Sequence, residues 1–238
     1  MTIASIDLAI IPDNVGLCVI ENTRVRFPAL HPDVVEVMRG YHATWQALDG
    51  GDPAAVLAAE ALKDQLLSFS PTYIVIDGPQ GFARTHRRGR RAEAILRTSG
   101  RTGSDYELPI RGYSWPGIAR LGIKLFNALS QRGYGRLEKP GLPKAKAAIE
   151  VFPDSSWHSF GLDAESQDHL QRLCLCHDYK WDTAATEHQL DAAVGALTVL
   201  ACGQDNGVYV GHPFFVEGDV PREGYIVIPN PGESWVSE

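Results

Sequence analysis

The first 28 residues constrain the fold most strongly, because they contain three short strand patterns separated by tight turns. Residues 3–11 and 15–21 are apolar and rich in β-branched side chains, and residues 24–27 alternate polar with apolar. The intervening turns are residues 12–14 and 21–23. Strands joined by such short turns pair with their neighbours in antiparallel order. The sequence therefore predicts an antiparallel β-meander at the N-terminus.

Helix and strand patterns alternate after this meander. The clearest helix has a capping-box pattern, in which Thr186 is followed three residues later by Gln189. Apolar spacing predicts helices over 33–48, 53–69 and 186–202 and one opening at Pro116, and apolar runs predict strands at 73–77, 147–152 and 225–228. The alternation predicts an α/β fold with a mixed sheet and right-handed crossovers. We expect a single domain, residues 1–238, with an insertion at about 80–115.

The size and composition predict a globular protein. A chain of 238 residues buries roughly 70% of its unfolded surface, and its even mixture of residue types excludes collagen, coiled coil and wholesale disorder. We expect no secretory signal, because Asp7 interrupts the first apolar residues, and no membrane span, because the near-apolar stretch 192–202 is too short. Four cysteines are too few for a disulfide framework, so a cytoplasmic location is expected.

The formal net charge of −7 hides an uneven distribution of charge. Residues 84–146 carry +11, and the two flanking parts together carry −18. Within the basic part, arginines occur at 84, 87, 88, 90, 91, 97 and 101. Because the planar guanidinium fork matches phosphate, we predict that Arg84, Arg87, Arg88, Arg90 and Arg91 bind substrate phosphates. A solvated face, or a partner for the acidic C-terminal part, would account for the same pattern.

Three acids lie within or directly after apolar strands. Asp7 interrupts the first strand, Asp77 ends the strand at 73–77, and Glu150 stands between Ile149 and Val151. A buried carboxylate needs a counter-charge, water or a metal, because an unpaired buried charge would cost several kcal/mol. The usual place for such groups in an α/β sheet is the crevice outside the carboxyl ends of the strands. We therefore predict that these acids meet in a functional crevice.

A fourth acid, Asp191, lies on the 186–202 helix, and His188 shares its face. Small residues beside it, Ala192 and Gly195, would let this face approach the sheet closely. Hard oxygen ligands without a Cys/His framework suit Mg²⁺ or Mn²⁺, and two such ions could promote hydrolysis of a phosphodiester. The pattern thus predicts a nuclease site with Asp7, Asp77, Asp191, Glu150 and His188 as catalytic residues, the three aspartates being metal ligands.

Each of these residues also has an ordinary structural explanation. Asp77 could form the Asp-Gly-Pro turn, Asp191 could favour the helix dipole, and His188 could lie on the surface. Glu150 could pair with Lys144, Lys146 or an arginine. The tryptophans at 115, 157 and 181 could be core residues or could stack on bases.

Five segments, in this order, resemble the DUF429 family, a group of predicted nucleases with the ribonuclease H-like fold. The segments are residues 6–9, 76–82, 149–153, 188–193 and 223–229. The resemblance spans residues 3–229 and implies a five-stranded mixed sheet, with the first three strands antiparallel, flanked by helices. It also implies two Mg²⁺ ions bound by acids at the positions of Asp7, Asp77 and Asp191, with Glu150 an additional acid.

We therefore expect a metal-dependent nuclease that uses Mg²⁺ or Mn²⁺ and binds nucleic acid. The alternative is a non-catalytic module on the same fold that binds nucleic acid or protein. An actin-like phosphotransferase would need a duplicated domain and a glycine-rich phosphate hairpin after Asp7, and the sequence has neither. A small-molecule hydrolase is the remaining alternative.

Overall fold

A computed structural model describes residues 1–47, 52–84, 89–98, 100–105, 114–181, 183–232 and 235. Its strands are β1 (Thr2–Asp7), β2 (Gly16–Glu21), β3 (Arg24–Arg26), β4 (Tyr73–Asp77), β5 (Ala147–Val151), β6 (Lys180–Trp181), β7 (Gly207–Glu217) and β8 (Val220–Pro229). Its helices are α1 (Pro32–Gln46), α2 (Asp52–Ser68), α3 (Arg91–Leu96), α4 (Trp115–Ser130), α5 (Pro153–Ser159), α6 (Gln167–Cys176) and α7 (Glu187–Gly203).

The strands form one mixed sheet in the order β6-β3-β2-β1-β4-β5-β8-β7. Strands β1, β2 and β3 are antiparallel neighbours, which confirms the predicted meander. Strands β4, β5 and β8 follow parallel to β1. The predicted mixed α/β sheet is confirmed, but its expected count of five strands is wrong, because the described residues form eight. β6 extends the meander edge, and the β7–β8 hairpin extends the other edge.

The two faces of the sheet bury different side chains, because successive residues of a strand point to opposite sides. Val75, Ile149 and Val227 face α7 and the cluster that α7 forms with α5 and α6. Ile76 and Ala148 face the opposite side, which α1, α2 and α4 cover. The short helix α3 covers β7 and β8 on that same opposite side. Across the described residues, no helix is long and apolar enough to cross a membrane.

Helix α7 packs closely against the middle of the sheet. Its capping box is present: Gln189 N–H donates to Thr186 Oγ1 at 3.3 Å, and Thr186 N–H donates to Gln189 Oε1 at 3.0 Å. A Cβ atom on Gly195 would lie 3.0 Å from Val151 Cγ2 and 3.1 Å from Ser5 Oγ. The absence of a side chain at Gly195 therefore permits the close packing that the sequence predicts.

Candidate functional site

Asp7 and Asp77 lie side by side at the carboxyl ends of two adjacent parallel strands. They are the last residues of β1 and β4 and are paired in the strand register. Ser5 and Val75, two residues earlier, face α7, so Asp7 and Asp77 point to the same side. The two carboxyl groups are close enough that each shifts the pKa of the other. The topology thus brings together two acids that are 70 residues apart in the chain.

The first turns of α7 add His188 and Asp191 to this pair. His188 Nδ1 lies 2.7 Å from Asp7 Oδ2. Asp191 interacts electrostatically with both Asp7 and Asp77, and its Oδ1 accepts a hydrogen bond of 2.7 Å from Trp157 Nε1. We call Asp7, Asp77, Asp191 and His188 the acid cluster.

Gly16, on the neighbouring strand β2, lets the first turn of α7 pack close to Asp7. It pairs with Asp7 across the β1–β2 ladder, and a Cβ atom on it would lie 1.9 Å from the backbone oxygen of His188. Real Cβ atoms do not approach other atoms so closely, so the first turn of α7 can pack here only against glycine. Gly16 is thus a residue of the site that the sequence analysis missed, and a glycine opposite an acid in the meander was its signal.

Burial and mutual repulsion dominate the electrostatics of the acid cluster. Burial is the main cause that raises the pKa of Asp7, and His188 opposes this shift. The pKa of Asp77 is raised well above its ordinary value by burial and then by the charges of Asp7 and Asp191. Burial also raises the pKa of Asp191 to about 7. The hydrogen bond with Asp7 raises the pKa of His188, so its protonated form donates to that carboxylate.

The carboxylate oxygens of the acid cluster are ligands of the type that hard divalent cations prefer. The described residues contain no group of three or more His, Cys, Asp or Glu side chains placed to hold an ion. Mg²⁺ is commonly bound by one or two carboxylates, several waters and substrate phosphates rather than by an all-protein cage. The adjacent carboxylates of Asp7 and Asp77 fit this mode, and Asp191 could supply a further oxygen. A cation there would also offset the repulsion that raises their pKa values.

Glu150 lies on the other side of the sheet from the acid cluster, although its charge also raises the pKa of Asp77. Its neighbours Ile149 and Val151 face α7, so the Glu150 side chain points to the opposite side of the sheet. There Arg90 binds both of its carboxylate oxygens, through Nη1 at 2.7 Å and through Nη2, and the N–H of Gln80 donates to it at 3.1 Å. Sequence analysis grouped Glu150 with the catalytic acids, whereas the structure places it in a buried ion pair with an arginine.

Arg90 is correspondingly removed from the surface. Only 1% of its area is exposed, and its Nε donates to Glu93 Oε1 at 2.9 Å in addition to the contacts with Glu150. Thr102 also donates to Glu93, through its backbone N–H and its hydroxyl. The predicted phosphate-binding role of Arg90 is therefore inconsistent with its position, because both carboxylates already occupy the guanidinium. Arg90 instead ties the start of α3 to β5.

The other predicted phosphate-binding arginines lie away from the acid cluster where they are described. Arg84 Nε is 3.7 Å from Glu223 Oε1, and its guanidinium carbon lies 5.3 Å from the centre of the Phe215 ring. Phe215 pairs with a residue of β8 that comes five residues before the β8 residue level with Asp77. Five residues correspond to about 16 Å along the strand. Arg91 is exposed on α3, on the opposite face of the sheet. Arg87 and Arg88 lie outside the described residues.

Trp157 is a second residue whose role sequence reasoning missed. The sequence allows a core residue or a base-stacking platform at this position, and the 1% exposure of Trp157 excludes stacking on a ligand. Its place in the short helix after β5 gave no sequence signal that its indole would reach Asp191, because that contact spans 34 residues.

The solved structures that match this chain include two of RuvC from Thermus thermophilus. The complex of RuvC with a Holliday junction substrate has 14% identity and a TM-score of 0.38, over 83% of this chain and 91% of that chain. A structure of RuvC has 15% identity and a TM-score of 0.42, over 90% of this chain and 99% of that chain. No family model and no curated protein sequence matches the chain. With both TM-scores below 0.5, these similarities assign neither a family nor an activity, and the resemblance to the DUF429 family stays a prediction.

Proposed function

We propose that this protein is a divalent-metal-dependent nuclease that hydrolyses phosphodiester bonds of nucleic acid. The observation that supports it best is the convergence of Asp7, Asp77 and Asp191 at the carboxyl edge of the sheet. Buried acids with strongly raised pKa values are uncommon outside functional sites, because folding alone gains nothing from repelling carboxylates.

The surroundings of the acid cluster favour a cation between protein and phosphate. Asp154 and Glu165 act electrostatically on Asp191, and Glu187 acts on Asp7, all in the direction of repulsion. A phosphate diester is itself an anion and would be repelled from such a site. A cation would reverse the local sign of charge and so allow the substrate to approach.

The residues divide into two roles under this proposal. Asp7 and Asp77 hold Mg²⁺ or Mn²⁺, and Asp191 supplies a further oxygen. When bound, the cation supplies Lewis-acid stabilisation of the phosphoryl oxygens. His188, whose side chain is 31% exposed, holds a proton beside Asp7 and can pass it to the departing oxygen or assist product release.

Cleavage of labelled substrates tests the proposal directly. Single-stranded, duplex, hybrid and branched nucleic acids are incubated with the protein in Mg²⁺, in Mn²⁺ or in EDTA. We expect metal-dependent cleavage that falls at least about 100-fold in Asp7→Asn and Asp77→Asn, the upper end of what loss of one supporting contact to a metal ligand costs. Asp219→Asn is the matched control, because Asp219 lies exposed in the β7–β8 turn.

Two results would contradict the nuclease proposal. One is cleavage that persists undiminished in EDTA or in Asp77→Asn. The other is binding of nucleic acid without cleavage of any substrate, which favours the non-catalytic module. Such binding should weaken steeply with salt if it depends on phosphate contacts.

A further inference from the structure

The Trp157 side chain connects the acid cluster to the interior of the protein. Trp157 lies on α5 and is almost fully buried, and its Nε1–H donates to Asp191 Oδ1 at 2.7 Å. An indole N–H can donate but cannot accept a hydrogen bond. It therefore holds a carboxylate oxygen without offering an atom that would compete for a cation.

Helix α5 packs directly against α7. The chain leaves β5 at Val151 and enters α5 at Pro153, whose ring restricts the backbone at the start of the helix. Ser156 and Thr198 are both completely buried, and their hydroxyl oxygens lie 3.0 Å apart, within hydrogen-bond distance. The indole of Trp157 is thus held close to the helix that carries Asp191.

We propose that Trp157 is a positioning residue for the acid cluster: it engages one oxygen of Asp191 and so orients the other towards Asp7 and Asp77. The inference deepens the proposed function and rests on it, since the orientation matters for binding a cation. Without the indole N–H, the Asp191 side chain can rotate, and the cation loses one of its oxygens for part of the time. Loss of comparable supporting hydrogen bonds lowers metal affinity about 10–100-fold.

Binding of Mn²⁺, measured by the electron paramagnetic resonance signal of the free ion, tests this without requiring cleavage. We expect Trp157→Phe, which keeps an aromatic ring but removes the N–H, to bind Mn²⁺ about 10-fold more weakly or worse. Trp181→Phe is the matched control, because Trp181 Nε1 donates at the same 2.7 Å to the backbone oxygen of Thr183. The control should bind Mn²⁺ like the wild type.

A double-mutant cycle separates positioning from loss of packing. On the Asp191→Ala background, Trp157→Phe should weaken Mn²⁺ binding no further, because the side chain it acts through has already been removed. In the ¹⁵N-labelled wild type, Mg²⁺ should shift the indole resonance of Trp157 and leave that of Trp181 unchanged. This second readout does not depend on how well the variant folds.

The outcomes distinguish this inference from the proposed function. If the wild type binds Mn²⁺ at the acid cluster and Trp157→Phe binds it equally well, Trp157 has no positioning role and the nuclease proposal stands. The same holds if the loss caused by Trp157→Phe is equally large on the Asp191→Ala background. If the wild type binds no Mn²⁺, both the metal-dependent function and the positioning role are wrong.

Discussion

The Arg90→Met substitution tests whether Glu150 serves folding rather than chemistry. Arg90 lies between Glu150 and Glu93, and all three side chains are at least 97% buried. Removing the guanidinium leaves two buried carboxylates without this counter-charge, and breaking a buried ion pair in this way costs about 3–5 kcal/mol. At about 2–4 °C per kcal/mol for a domain of this size, the melting temperature should fall by about 6–20 °C.

The stability lost in Arg90→Met should increase with pH. Burial raises the pKa of Glu150 and Arg90 lowers it, so without Arg90 the pKa of Glu150 rises further. A carboxyl group with a raised pKa in the folded state stabilises the fold below its unfolded pKa and loses that contribution as the pH rises. Arg90→Met should therefore be more destabilising at pH 8 than at pH 5, as measured by urea unfolding followed by circular dichroism.

A second substitution provides the control for this prediction. Glu150→Met added to Arg90→Met should restore much of the lost free energy of unfolding, because a buried pair can often be replaced by apolar side chains without loss. The reasoning fails if Arg90→Met costs less than about 1 kcal/mol, well below the range for a broken buried pair. It also fails if Glu150→Met abolishes metal-dependent cleavage while the protein remains fully folded.

Two further predictions concern the acid cluster. Gly16→Ala should lower the free energy of unfolding by about 1–3 kcal/mol and weaken Mn²⁺ binding, because the new Cβ displaces the first turn of α7. Thermal unfolding and Mn²⁺ titration measure the two effects. Gly40→Ala is the control, because its Cβ meets nothing within 4 Å. Without metal, the melting temperature should fall between pH 5 and 8, since acids with raised pKa values, such as Asp191 at about 7, stabilise the fold only while protonated. Mg²⁺ should raise the melting temperature more at pH 8 than at pH 5. Asp77→Asn should make the melting temperature without metal depend less on pH. An unchanged pH dependence in that variant contradicts the explanation.

The positions of Asp7, Asp77 and Asp191 could be predicted because each follows from a local rule. An acid at the end of an apolar strand lies at the edge of the sheet, and an acid beside small residues lies on the closely packed face of a helix. The capping box at Thr186 located the start of α7 to within one residue. These rules need no information about distant parts of the chain.

The side of the sheet on which Glu150 lies could not be predicted in this way. The residues of β5 are buried on both faces, so their apolar pattern does not show which face α7 covers. The same limit applies to Arg90, whose partner Glu150 is 60 residues away. Strand β7 was missed because Gly211 and Pro213 interrupt its pattern, at a position where the pairing with β8 shifts register.

The location of His188 and Asp191 in the first turns of α7 has a consequence for the thermal behaviour of the site. Helix ends open locally with much less free energy than the whole domain needs to unfold. Fraying of this end would withdraw His188 from Asp7 while the rest of α7, which is buried against the sheet, remains folded. The acid cluster would then lose its geometry on warming before the protein loses its fold, and hydrogen exchange at the amides after Thr186 would report that step.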